Sequence, residues 1–480
     1  MIPDFQHCYE AVKSKDARFD GWFFTAVTST HIYCRPSCPA ITPRAANVCF
    51  YPTAAAAQAA GFRACKRCRP DAAPGSPEWN IRGDVVGRAM LFISDGVVER
   101  EGVVGLARRV HLSERQLRRL LVEELGAGPQ ALARAQRAQN ARILIEGTDL
   151  TFSEIAFASG FKSIRQFNDT VRVVFAGTPS ELRRKKRAPD TVAPGVITLR
   201  LPYRTPFDNG VLFFLAQRVV PGVEEFTDGR YRRTLKLPHG PAVVEVSSAE
   251  GYVECTLKLR DMRDLQSAVQ RCRWLLDLDS DPVAVNAHLN KDRRMRKHLR
   301  ARPGLRVPGS ADGTELAMRA VLGQQISVVS AVTLAGRLVE AYGKPLTAAD
   351  AGLTHSWPDP EVIADADLDE IGMPGSRKKA LRALAGAVAS QDIVLAPGED
   401  RQMTYDKLVA LPGIGPWTAS YISMRALGDP DVFLPSDLGV KRGLAALGYA
   451  NDPASAEALA EGWRPWRSYA LMYLWSLSGE

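Results

Sequence analysis

Apolar positions recur with a helical period through most of the chain, and the clearest instance occurs twice. "SERQL" at 113–117 returns as "SIRQF" at 163–167, fifty residues on. The match continues with Leu121 against Val171, Leu125 against Phe175 and Pro129 against Pro179. In each copy apolar residues fall at i, i+4 and i+8 behind a serine in N-cap position, which predicts an amphipathic helix. Each such helix follows a shorter helical stretch and a tight turn, "LARRVHLS" and "IAFASGFKS". Short helix, turn and second helix with arginine outward is the layout of a helix-turn-helix reader. Two plain helical hairpins would show the same period.

After residue 195 the pattern changes. "VITLRL" (196–201), "AVVEVS" (242–247) and "YVECTLKL" (252–259) alternate or cluster β-formers, which predicts strands. From about Pro282 onward the chain reads as helices joined by short Gly/Pro turns. "PDAAPGSPE" (70–78) and "RRKKRAPDTVAPG" (183–195) are breaker-rich stretches that divide the earlier part. A length of 480 residues suits three or four domains, at ~100–200 residues each. The boundaries expected are 1–75, 82–187, 196–285 and 286–480.

Composition sharpens this division. The chain has 62 Lys and Arg against 53 Asp and Glu, a net charge of +9, and a pI near 9.1. Such an excess suits an anionic partner, of which nucleic acid is the usual one. Residues 82–187 hold 19 Lys and Arg against 12 Asp and Glu, so most of the excess lies in the segment that carries the repeat. Arg115 and Arg165 occupy equivalent repeat positions and are the expected groove-facing contacts. No apolar run reaches the ~18 residues of a membrane helix. The opening "MIPDFQHCYE" lacks the basic segment and apolar core of a secretory signal, so a cytoplasmic protein is expected, with no membrane partner.

In that compartment thiols stay reduced, so clustered cysteines point to metal or reactivity. Cys34 and Cys38 form C-x3-C, and after 26 residues Cys65 and Cys68 form C-x2-C. Two thiolate pairs so spaced suit tetrahedral Zn²⁺. The site either staples a small domain or also reacts. Cys8 and Cys49 lie outside the pattern and are expected as buried thiols.

The residues carry two resemblances. "FDGWFFTAVTSTHIYCRPSCPA", "NVCFYPTAAAAQAAGFRACKRCRP" and the repeated helix-turn-helix, with "GFKSIRQFN" at 160–168, resemble an Ada-type sensor of methylated DNA joined to an AraC-type DNA-binding domain. The resemblance covers residues 1 to about 187. It implies that Cys34 is both zinc ligand and acceptor of the methyl of a DNA methylphosphotriester. It also implies that Arg35, Lys66 and Arg67 face phosphate, and that RNA polymerase is a partner. Ile41 stands where the family often has a basic residue, so one phosphate contact is expected to be missing.

From about 196 to 480, "RAVLGQQIS" (319–327), "LPGIGPWTA" (411–419), "DVFLPSDLGVK" (431–441) and "WRPWRSYALMYLW" (463–475) resemble an AlkA-type 3-methyladenine DNA glycosylase of the helix-hairpin-helix superfamily. The Gly-x-Gly of Gly413 and Gly415 either lets a backbone approach a DNA phosphate closely or is a plain turn between helices. By the resemblance Asp437 is the catalytic carboxylate, Trp417 and Tyr421 line the base pocket, and Gln325 stands where relatives wedge an apolar side chain into the duplex. Trp463 and Trp466 are further candidates for the pocket. Relatives that also cut the strand carry a lysine where this chain has Trp417, which implies a monofunctional enzyme. The Pro-Cys-His-Arg centre of alkylguanine methyltransferases is absent.

The expected fold is therefore multidomain and mainly α with α+β parts. It comprises a small zinc-bound α/β domain, an AraC-type double helix-turn-helix, a β-rich subdomain and an all-α helix-hairpin-helix glycosylase domain. A monomer acting on alkylated and promoter double-stranded DNA is expected. The alternative is a DNA-binding transcriptional regulator whose glycosylase half is inactive.

Overall fold

The computed structural model describes residues 4–16, 19–68, 70, 85–148, 150–184 and 195–478. Most of the two breaker-rich stretches, 71–78 and 185–194, lies outside the described residues, as does the start of the second expected domain at 82–84. The chain divides into two compact units. The first takes the described residues up to 202 together with 256–270; the second takes 203–255 and 271–478.

In the first unit, helix α1 (Phe5–Lys13) precedes a four-stranded sheet of β1 (Phe24–Val27), β2 (Ile32–Cys34), β3 (Val48–Tyr51) and β4 (Arg63–Ala64), in the order β3-β1-β2-β4. β1 pairs antiparallel with β2 and β3, setting Thr25 opposite both Cys34 and Phe50. β2 and β4 are parallel, with Tyr33 opposite Ala64. Helix α2 (Ala54–Ala59) begins at Thr53, whose side chain accepts the Ala56 N–H. Because β2 and β4 run the same way, each delivers a cysteine pair from the same end of the sheet.

The repeat folds as its period requires. The first reading helix, Glu114–Leu125, starts at Ser113 in a capping box with Gln116 and buries Leu117, Leu121 and Leu125. The second, Ile164–Phe175, starts at Ser163 and buries Phe167, Val171 and Phe175, the matched positions. Pro129 and Pro179 both open helices, Pro129–Gly147 and Pro179–Arg183. The first of these, the linking helix, runs between the two halves of the repeat. β5 (Val196–Pro202) also belongs to this unit.

In the second unit β6 (Glu224–Thr227), β7 (Arg230–Leu237) and β8 (Gly240–Ala249) pair antiparallel, with Tyr231 opposite both Phe226 and Val246. β9 (Tyr252–Lys258), whose first four residues belong to this unit, follows next to β8. The predicted strands are present, and β6 and β7 join them. The remaining chain is helical with one exception: β10 (Lys344–Asp350) and β11 (Leu353–Ser356) form a hairpin within the stretch read as all-α. Ala351, at φ 54, makes its turn, and Leu353 is buried. The hairpin is too short to show as a run of alternating apolar residues. Helices Gly313–Leu322, Val328–Tyr342, Gly375–Ala389 and Pro416–Ala426 meet in one core, which includes Leu322, Leu338, Leu384 and Ile422.

Candidate functional site

Two sites stand in the two units. In the first, the sulfurs of Cys34, Cys38, Cys65 and Cys68 all lie within 4.8 Å of one another. Tetrahedral Zn–S bonds near 2.3 Å require sulfurs about 3.8 Å apart, which this packing admits. Four thiols so close must otherwise share protons: hydrogen bonds with Cys38, Cys65 and Cys68 push Cys34 far above the ordinary thiol range. A dication removes that conflict, so the donor set fits zinc. Cys34 is half-buried, whereas the other three are buried.

The loop between Cys34 and Cys38 is held from below. Buried Asp20 accepts the Ser37 N–H at 3.0 Å and the Ser37 hydroxyl at 2.6 Å, and its Oδ2 lies 3.4 Å from Arg35 Nη1. Arg67 is exposed beside the cluster, and Ile41 is 94% exposed. Lys66 departs from expectation. Its Nζ donates to the carbonyl of Ala176, 3.1 Å away, and so is turned from any phosphate at the cysteines. Arg115 and Arg165 are both exposed on their reading helices. Cys8 is fully buried, and burial, then Asp4, pushes its thiol up to about 11. Cys49 donates to the carbonyl of Ala26 and takes no part in the cluster.

The second site is a cleft of about 1520 Å³ in the second unit. Helix Leu438–Ala446 starts at Asp437, which caps it by accepting the Val440 N–H at 3.0 Å. The same Oδ1 accepts Trp475 Nε1 at 2.8 Å, and Oδ2 accepts Trp417 Nε1 at 3.1 Å. Three N–H groups thus fix the carboxylate. Trp417 and Tyr421, one helical turn apart, stack with ring centroids 5.3 Å apart and planes 6° from parallel. Tyr421 accepts a hydrogen bond at 2.7 Å from the buried guanidinium of Arg425, which also lies over the Phe214 ring.

The rim is made of two turns. Gly413 has φ +80, and a Cβ there would stand 2.8 Å from that of Ala380, so both conformation and packing require glycine. Gly415 has open space where a Cβ would go and begins helix Pro416–Ala426 with no side-chain cap, leaving its first N–H groups for an anion. Gln325, exposed at φ 57, is the tip of the facing turn. Its neighbour Gln324 was not expected to matter, yet its amide donates to Gly413 O at 2.9 Å and Thr418 Oγ1 at 3.0 Å. Behind this turn, Arg319 reaches Glu224 at 2.9 Å and Glu315 at 3.0 Å, and Arg233 bonds the same two carboxylates. That buried network ties the strands to helix Gly313–Leu322, which carries the turn.

Four family models match successive parts of the chain: the metal binding domain of Ada over 7–71, a helix-turn-helix domain over 106–185, the AlkA N-terminal domain over 198–312, and the HhH-GPD superfamily of base excision DNA repair proteins over 318–468. A probable bifunctional transcriptional activator/DNA repair enzyme AlkA of Mycobacterium tuberculosis is 53% identical, over 99% of this chain and 97% of that protein. The chain belongs to this family of bifunctional Ada/AlkA-type activator and repair enzymes. DNA-3-methyladenine glycosylase 2 of Escherichia coli is 34% identical over 58% of this chain and 97% of its own. A solved 3-methyladenine DNA glycosylase from Archaeoglobus fulgidus shares the fold, with a TM-score of 0.50, 22% identity, and coverage of 58% of this chain and 98% of that one.

This member of the family therefore binds zinc through Cys34, Cys38, Cys65 and Cys68 and carries an AlkA-type glycosylase half. Among the described residues no helix is long and apolar enough to cross a membrane. Two expectations for the pocket need correction. Trp463 donates to Asp292 at 3.0 Å, and Trp466 packs edge-on against Tyr469, so neither lines the cleft. Trp475 is the tryptophan that reaches the site. Nothing in "WRPWRSYALMYLW" marks it, because a buried helix shows no polar face by which to orient its aromatics.

Proposed function

We propose that the chain senses one product of DNA methylation and excises another. The observation that carries the excision half is Asp437, fixed by Trp417, Trp475 and Val440 at the edge of a cleft lined by stacked aromatics. Loss of a damaged base passes through a sugar of oxocarbenium character, and an anion held nearby stabilises that positive charge. Holding the carboxylate through three N–H groups lets it face the sugar with no reorganisation during reaction. The base must leave the stack to reach it. Electron-rich faces of Trp417 and Tyr421 suit a cationic alkylated purine such as 3-methyladenine. Gly413 and Gly415 would hold the strand, with Gln325 filling the gap. Among the residues lining the cleft none is lysine, which supports hydrolysis without strand cleavage.

For the sensing half, exposure singles out one sulfur: Cys34 alone of the four ligands is half-buried. Zinc, when bound, keeps the sulfurs as thiolates at neutral pH. Cys34 Sγ attacks the methyl carbon of the phosphotriester, an S–C bond forms, the C–O bond breaks, and the phosphodiester leaves with the electron pair. The product thioether returns no methyl, so each chain reacts once. One negative charge leaves the cluster, and Arg35 and Arg67 then meet phosphate with less opposition. The reading helices carry this to promoters, where RNA polymerase is recruited by a monomer. The test is excision of methylated bases from treated duplex DNA by the intact chain and by Asp437→Asn, with methyl uptake at Cys34 followed in both by mass spectrometry. Excision by the variant at the parental rate rejects Asp437. A methyl adduct that persists after Cys34→Ser rejects Cys34.

A further inference from the structure

The two reading helices both end against the cysteine domain, at positions one residue apart in the repeat. The buried hydroxyl of Thr53 donates to the carbonyl of Leu125, the last residue of the first reading helix, at 3.1 Å. Lys66, between Cys65 and Cys68, donates to the carbonyl of Ala176, the residue that closes the second. Helix C-termini leave carbonyls without intrahelical partners, and a donor there, above all a cation, offsets the partial negative charge. Ala176 sits at φ 49, in the left-handed region, where the first copy has Gly126 at φ 69. Alanine holds that conformation only against strain, so the bond from Lys66 ties the second helix at its strained residue. At the first helix a Cβ on Gly126 would stand 3.0 Å from that of Ala56, so α2 is seated directly on the helix end.

The linking helix does not anchor the two readers equally. It packs extensively on the second reading helix and only lightly on the first. Helix α2 packs mainly on the linking helix and β4 on the second reader, while Thr53 and Ala56 meet the end of the first. The anchor of the second reader grows directly from the zinc-bound fold: Lys66 lies between two ligands, and β4 pairs with the strand that ends at Cys34.

We propose that Thr53 and Lys66 determine DNA specificity: the zinc domain spans the ends of both reading helices, sets their separation, and so selects the spacing of two half-sites. This rests on the proposal that both helices read DNA. Base contacts would then choose each half-site, and the clamp the number of base pairs between them.

The test uses the full-length zinc-loaded chain and a pool of random-sequence duplexes, recovered after binding and sequenced. The parent is expected to select two half-motifs at one separation. Thr53→Val with Lys66→Ala is expected to select the same half-motifs at several separations, with zinc content and methyl uptake at Cys34 unchanged. Lys66→Ala alone, at an exposed position, gives the same broadening to a lesser degree should the double variant not fold. Thr53→Ser, which keeps the hydroxyl, is expected to keep the single separation that Thr53→Val broadens. One unchanged separation in the variants overturns the proposal. So does complete loss of one half-motif, which would mean a reading helix has unfolded rather than shifted. A parent that selects no motif overturns the DNA-reading assignment instead.

Discussion

Trp475 Nε1 lies 2.8 Å from Asp437 Oδ1, across 38 residues of chain, so helix Arg467–Leu477 supplies a hydrogen bond to the candidate catalytic carboxylate. The indole also stacks against Phe214, with ring centroids 6.3 Å apart. Trp475→Phe should keep the stacking and remove the bond. A hydrogen bond to a charged group is worth about 1.5–3 kcal/mol, so excision should slow on the order of tenfold or more at saturating DNA. Asp437→Asn can still cap its helix and should lose ~10²–10³-fold in the excision step with DNA affinity kept. Single-turnover excision beside duplex binding checks both. An equal loss of affinity and rate in Trp475→Phe would mean that the ring only packs.

At the cysteine cluster the four ligands should not be equivalent. Cys38→Ser removes a buried ligand and should cost most of the bound zinc and the thermal stability of residues 1–75. Cys34→Ser, at the half-buried edge, should retain part of the zinc and abolish methyl uptake. Metal analysis and mass spectrometry after exposure to methylphosphotriester DNA separate the two. Equal zinc loss in both variants would remove the distinction drawn from exposure.

Much of this was legible because local chemistry carries it. The serine caps and the apolar spacing of the repeat fixed helices 114–125 and 164–175 without any tertiary information, and the cysteine spacing implied a cluster that the parallel pairing of β2 and β4 assembles. The contributions of Trp475, Gln324 and Lys66 depend on partners 38, 89 and 110 residues away, which no local pattern reports. Lys66 shows the difficulty best. A basic residue beside a candidate phosphate site reads as a contact, but its long side chain can equally turn to a helix end.

The reading helices should show their phosphate contacts as a salt dependence. Arg165 is 93% exposed, 3.9 Å from Asp169 across one helical turn, and Arg115 is exposed at the matched position. An exposed pair of this kind contributes little to stability, so either arginine can be replaced without loss of the fold. Arg115→Ala or Arg165→Ala should weaken binding to a selected duplex. If the contact is to a base, by about 1–3 kcal/mol with relaxed preference at one position; if to a phosphate, with a salt slope smaller by about 1. Titrations at several salt concentrations decide between them. Unchanged affinity in both variants would place the DNA on other faces of these helices.

The last prediction concerns a buried carboxyl away from both sites. Asp277 Oδ2 accepts Tyr469 Oη at 2.9 Å and the Val307 N–H at 3.2 Å, with the Arg306 guanidinium close by. Burial raises the group to about 6, more than Arg306 and these hydrogen bonds can offset. An unfolded chain would release this proton near 3.9. Between those values the folded state binds the proton and the unfolded state does not. The contribution of Asp277 is therefore complete below about pH 3.9 and is lost as pH rises through about 6. One proton sets a limiting slope of about 1.4 kcal/mol per pH unit. Asp277→Asn keeps the shape and tolerates the positive φ of 51 at this position. It also removes the titration. The stability of the parent minus that of Asp277→Asn should therefore fall as pH rises from 4 to 6 and be flat above 7, as measured by chemical unfolding at each pH. A difference that rises over that interval would mean that Arg306 dominates and holds Asp277 as the anion.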